Sequence, residues 1–131
     1  MANINSKTIK NVRDLIVYQT AFDAAMEIFN LTRAFPSEEK YSLIDQIRRS
    51  SRSVCSNLSE GWYKRQYIAA FVSKLADSMQ EASETQTWLD FSLALGYLNV
   101  KKYDELFKKY ETVISQLITM KHKAATFCPK K

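Results

Sequence analysis

Five serines crowd one stretch of the chain, Ser50, Ser51, Ser53, Ser56 and Ser59. A serine becomes a nucleophile beside a base, usually a histidine oriented by a carboxylate. The one histidine, His122, stands between Lys121 and Lys123 near the end of a helical pattern. There it suits the negative pole of a helix better than catalysis. Small serines have a simpler use, the close approach of two helices. A di-iron bundle needs paired Glu-x-x-His motifs, but the residue three before His122 is Thr119. Zinc needs clustered Cys and His, and Cys55 and Cys128 stand alone. Gly61 and Gly96 both read as helix ends, so no glycine-rich phosphate loop exists. The sequence predicts no catalytic residue, no metal site and no cofactor, hence a non-enzymatic protein.

Binding chemistry is better represented. Arg48, Arg49 and Arg52 form a basic cluster, and Asp77, Glu81 and Glu84 an acidic stripe at helical spacing. The arginines suit phosphate contact or pairing with acidic helix faces, within a subunit or between subunits. Arg49 shares a helix face with Gln46, Ser53, Asn57 and Glu60, which favours pairing. Gln46, Arg48, Arg49, Ser53, Asn57, Glu60 and Glu81 are therefore expected to form a buried or interfacial polar network. Trp62, Tyr63, Lys64 and Arg65 put two aromatics beside two cations. Such a group stacks on bases or covers the end of a bundle.

Charge is unevenly placed. Residues 1–98 hold 11 Lys/Arg and 11 Asp/Glu, while residues 99–131 hold 8 and 3, which accounts for the net +5. A basic C-terminal third is a reason to consider nucleic acid; a lysine-rich solvated face is the plainer reading. The candidate nucleic-acid contacts are Lys64, Arg65, Lys101, Lys102, Lys108, Lys109, Lys121 and Lys123.

These groups must be carried by helices. The chain has 131 residues with only two glycines and two prolines, so turns are scarce and helices long. Leu15, Tyr18, Phe22, Ala25, Ile28 or Phe29, and Thr32 predict a helix over about 13–34, capped by Asn11 or Asp14. Ala21, Ala24 and Ala25 leave room for a neighbour. Pro36 ends it, and Ser37-Glu38-Glu39 starts a second helix. Its apolar face carries Ile44, Ile47, Ser51, Val54 and Leu58, and Gly61 is expected to cap it. Trp62 and Tyr63 then fall in the link. A third helix spans about 66–95, with Ile68, Phe71 or Val72, Leu75, Met79, Ala82, Gln86, Leu89 and Leu93 inward, and closes at Gly96. Asn99 caps a fourth, about 100–125, with Tyr103, Leu106 or Phe107, Tyr110, Val113 or Ile114, Leu117 and Ala124 inward. The expected fold class is all-α, an antiparallel up-down-up-down four-helix bundle over residues 13–125. Residues 1–12 are expected to be a flexible N-terminus and 126–131 a basic tail. No apolar run matches a membrane span, no signal-peptide core precedes the domain, and two cysteines make no disulfide framework. The expected location is the cytoplasm, with no membrane partner.

The run Phe35, Pro36, Glu39, Tyr41, Leu43, Gln46, Ile47, Arg48, Arg49, Ser53, Asn57, Glu60, Gly61 carries a longer pattern. With Arg13, Asp14, Leu15, Val17, Gln19 and Ala21 before it and Leu95-Gly96-Tyr97-Leu98 after it, the chain resembles the four-helix-bundle family encoded in intervening sequences of bacterial 23S rRNA genes, often labelled ribosomal-protein-like. It is also similar to accessory proteins of diversity-generating retroelements. Tyr18 replaces a usual tryptophan, Asp77-Ser78 a common Gly-Ser, and Ser83 a usual acidic residue. The resemblance implies a homo-oligomer, commonly a pentamer, without enzyme activity. The retroelement proteins imply RNA or DNA as a partner, bound through basic surfaces. A structural or adaptor protein that binds another protein is the alternative.

Overall fold

The computed structural model describes residues 9–129, all helix and connection. Four long helices, α1 (Ile16–Thr32), α2 (Leu43–Tyr63), α3 (Ile68–Ala94) and α4 (Val100–His122), run up, down, up and down, and a short α5 (Ala124–Phe127) follows. The antiparallel sense is visible in the cross-helix bonds. Thr85 meets Ser50 and Ser78 meets Val54 between α3 and α2, and Gln86 meets Phe107 between α3 and α4. Among the described residues no helix is long and apolar enough to cross a membrane.

The core is the sum of the inward stripes. Ile44, Ile47, Ser51, Val54 and Leu58 of α2 are buried, with Leu75, Ala82 and Leu89 of α3 and Leu106, Tyr110, Val113 and Leu117 of α4. Helix α1 differs from its periodic reading. Val17, Ala21, Ala24 and Ile28 face inward, whereas Phe22 is 48 % exposed. Small alanines let α1 sit close to its neighbours, and that contact turns Phe22 to the flank. Ile68, expected inward, is 49 % exposed because it opens α3 beyond the reach of the core.

Helix ends depart from expectation where side chains replace backbone signals. Ser37 caps nothing; residues Ser37–Glu39 form one 3₁₀ turn. The carboxylate of Glu39 then caps α2 instead, accepting from Ser42 Oγ at 2.6 Å and from Leu43 N at 3.4 Å. Negative charge at that pole is favourable. Gly96 does close α3, at φ +78°, and Asn99 Oδ1 accepts from Lys102 N at 2.8 Å as the α4 cap.

Gly61 is not a cap. It lies within α2, and a Cβ there would stand 2.9 Å from Lys74 Cβ. The glycine lets α3 approach the last turns of α2, which continues through Trp62 and Tyr63. Trp62 is thereby buried against Phe71 and Phe127, so it is core rather than link. Phe127 also corrects the tail: α5 folds back as a lid on this aromatic cluster. Lys130 and Lys131 lie outside the described residues. At the other terminus residues 10–12 are not a flexible arm. Asn11 and Asp14 cap one turn reciprocally, and Val12 is buried. Residues 1–8 of that expected arm lie outside the described residues.

Candidate functional site

The arginine cluster divides on folding. Arg48 turns toward α1, where its Nε donates to Thr32 Oγ1 at 2.9 Å and its guanidinium lies 4.4 Å from the Phe29 ring centre. Thr32 Oγ1 in turn donates to Ile28 O. Arg49 points outward. Its side chain is 71 % exposed and, among the described residues, pairs only with Asp45, at 3.6 Å. Asn57 and Glu60 instead share Lys74 of α3, whose Nζ is 3.3 Å from Asn57 Oδ1 and 3.2 Å from Glu60 Oε1. Ser53 accepts through its carbonyl from Asn57 Nδ2, and Gln46 is half-buried without a side-chain bond among the described residues. The face thus has a centre, Lys74, that the sequence reading missed; an Asn–Lys–Glu relation across two helices leaves no local spacing to read. Replacing Arg48 by alanine is expected to cost about 1–2 kcal/mol of chain stability, a charged hydrogen bond and a cation–π contact. Arg49→Ala should cost less than about 0.5 kcal/mol, the scale of an exposed i,i+4 pair. Urea denaturation of the two variants separates them, and equal losses would contradict the placement of Arg49.

Glu81 lies apart from this group. Burial raises its pKa, and the neighbouring Glu84 and Asp77 raise it further. Cys55 is buried, and burial pushes its thiol up to about 12, so it stays protonated and is a poor nucleophile.

The predicted cationic residues fall into two sets. On α4, Lys102 and Lys109 reach across to Glu27 of α1, at 3.2 and 3.0 Å, and Lys102 also pairs with Glu105. Lys101 and Lys108 are exposed among Asp104, Glu105 and Glu111. Burial acts to raise the pKa of Glu27, but hydrogen bonds from Lys109 and Lys102 outweigh it and hold the carboxyl below its ordinary range. A carboxylate with a depressed pKa stabilises the fold above its unfolded pKa, and that contribution fades as pH falls through the folded value. Glu27→Gln is therefore expected to be less stable than the parent at neutral pH. The gap should close in acid, as read by denaturation at a series of pH values.

The second set is gathered at one end of the bundle. Antiparallel packing brings the start of α1, the end of α2, the start of α3 and the end of α4 together there. Lys64, Lys121 and Lys123 are exposed, and two cations not predicted, Lys10 and Arg13, join them. Their place beside the set follows from the anchored N-terminal turn. Arg65 lies flat on Trp62, its guanidinium 3.7 Å from the ring centre, and donates to Trp62 O and Phe127 O. Among the described residues none of these six cations forms an ion pair. Among the described residues two side-chain carboxylates border this end, and both are engaged. Asp14 accepts from the backbone of Lys10 and Asn11, and Glu60 holds Lys74. Six cations outnumber the ionised Asp14, and Glu60 is paired with Lys74, so the end carries a net positive potential attractive to phosphate.

A third surface is apolar. Tyr18, Phe22, Ala25, Met26 and Phe29 of α1 line a groove of about 490 Å³ against Arg52 and Cys55 of α2. Phe22 and Met26 are each 48 % exposed on it.

Known proteins place this architecture. A solved protein of unknown function from the S23 ribosomal protein family of Bacteroides thetaiotaomicron superposes with a TM-score of 0.73 at 27 % identity, over 81 % of this chain and 98 % of its own. Among curated proteins none matches. The sequence model of the 23S rRNA-intervening sequence proteins matches residues 13–119, from the turn before α1 nearly to the end of α4. A match over that span, with the same helical fold in a solved relative, means that the chain belongs to the 23S rRNA-intervening sequence protein family.

Proposed function

We propose that this is a non-enzymatic, cytoplasmic, self-associating helical bundle that binds RNA or DNA through phosphate contacts at its basic end. The observation that carries the reading is the meeting of Lys10, Arg13, Lys64, Arg65, Lys121 and Lys123 at one pole, with the bordering carboxylates already bonded elsewhere. The α4 lysines contribute less, because Lys102 and Lys109 are paired with Glu27 and Glu105. Self-association, into the pentamer implied by the family resemblance, is supported by the exposed apolar side chains of α1.

That same groove favours a second reading, a structural or adaptor protein that engages another protein while the cations only maintain solubility. Fluorescence anisotropy with labelled RNA and DNA across a salt series distinguishes the two, with particle mass read by light scattering in the same buffers. Binding by a stable oligomer that weakens steeply with salt is the expected result. No binding at low salt would overturn the nucleic-acid reading in favour of the adaptor.

A further inference from the structure

The junction between α2 and α3 leaves two aromatic side chains in water. Tyr63 is 89 % exposed and Tyr67 64 % exposed. Burial of neighbouring Trp62 satisfies the bundle end without them, so their rings are not needed as a cover. Beside Tyr63 runs an open cleft of about 360 Å³, with Lys10, Asn11 and Arg13 on one wall and Tyr63, Arg65 and Gln66 on the other. Its volume is within the ordinary range of small-ligand sites. Its chemistry is mixed in a specific way: an aromatic face, two side-chain amides and three cations.

Those groups match the parts of a nucleotide. The Tyr63 ring offers a stacking surface that accepts any base. The amides of Asn11 and Gln66 offer donors and acceptors to a base edge; Asn11 Oδ1 already accepts from Arg13 N at 2.8 Å, and its NH₂ donates to no group among the described residues. Lys10 and Arg13 offer positive charge to a backbone phosphate. A base inside a duplex has both faces covered by its neighbours, so away from a duplex end only an unpaired base can use the Tyr63 ring. We propose that this cleft takes an unpaired nucleotide, so that the basic end selects single-stranded RNA or DNA over duplex. The proposal rests on the nucleic-acid reading above and narrows it.

The test is anisotropy at low salt with the intact protein, using labelled single strands of RNA and of DNA and the matching duplexes. Single strands are expected to bind roughly tenfold more tightly than duplexes, the scale of one base–aromatic stack. Tyr63→Ala should lose that roughly tenfold advantage and leave duplex affinity unchanged. Tyr63→Phe should keep it, since a phenyl ring stacks as well. Tyr63 is almost wholly exposed, so both variants are expected to fold, and light scattering checks that their assembly matches the parent. Equal affinity for single strands and duplexes, or equal losses of both in Tyr63→Ala, would overturn the proposal while the phosphate reading stood. Absence of binding by every nucleic acid would overturn the phosphate reading itself.

Discussion

Phe71→Ala is expected to lower the unfolding free energy by about 3–5 kcal/mol, the cost of emptying a sealed aromatic site. Phe71 is completely buried. Its ring lies 6.5 Å from that of Trp62 and 6.3 Å from that of Phe127, so three chain segments meet on it. Collapse into the cavity is hindered because the backbones already touch at Gly61, where a Cβ would approach the Phe71 ring to 3.6 Å. Urea denaturation and thermal melting read the loss, the latter as a fall on the order of 10 °C. Phe127→Ala, at a half-buried site, should cost clearly less. A Phe71→Ala loss below about 1 kcal/mol would mean that the aromatic cluster is not packed in this way.

Reversing three charges at the basic end is expected to have the largest effect on binding. Lys64, Lys121 and Lys123 are exposed and form no ion pair among the described residues, so glutamate at all three should leave the fold intact. Each lost phosphate contact removes about 0.7 from the salt exponent on a single strand. Three such contacts lower the exponent by about 2 and the affinity at low salt on the order of a hundredfold. Lys101→Glu with Lys108→Glu on α4 is the matched control. There Asp104, Glu105 and Glu111 already dilute the positive field, and a change of less than about threefold is expected. Comparable losses from both sets would spread the contact along α4 as well as the pole and contradict a site confined to the pole.

Much of the bundle was legible because helical period is a local property. The inward face of α2, the close of α3 at Gly96 and the Asn99 cap all follow from neighbours within a turn or two. What escaped depended on distant partners. Gly61 has the composition of a helix end, but Lys74, thirteen residues on, is what requires it to be glycine. Trp62 continues the α2 stripe four residues after Leu58, but Gly61 before it has the look of a helix end and cuts the pattern there; Phe127 sits in no stripe, and it, Trp62 and Phe71 bury one another. Among the cations, sequence spacing could find the lysines but not their partners. Glu27 is more than seventy positions from Lys102 and neutralises it across the bundle. Lys10 and Arg13 were overlooked for the same reason, since only the capped turn at Asn11 fixes them beside Arg65.

The hydroxyls between α2 and α3 have a consequence at a distance. Thr85 Oγ1 donates to Ser50 Oγ at 2.8 Å, and Ser78 Oγ donates to Val54 O at 2.7 Å, both out of water. Sliding one helix by a turn against the other would take Ser78 Oγ from its partner, break the Thr85–Ser50 bond and drive Lys74 off the notch at Gly61. Leaving such groups unpaired inside a protein is costly, so the two helices have one permitted alignment, like a key cut for a single lock. Tyr63, Arg65 and Gln66 sit at the tip of that hairpin. Their position at the pole is therefore set by teeth several turns away, and the short connection that carries them needs no rigidity of its own.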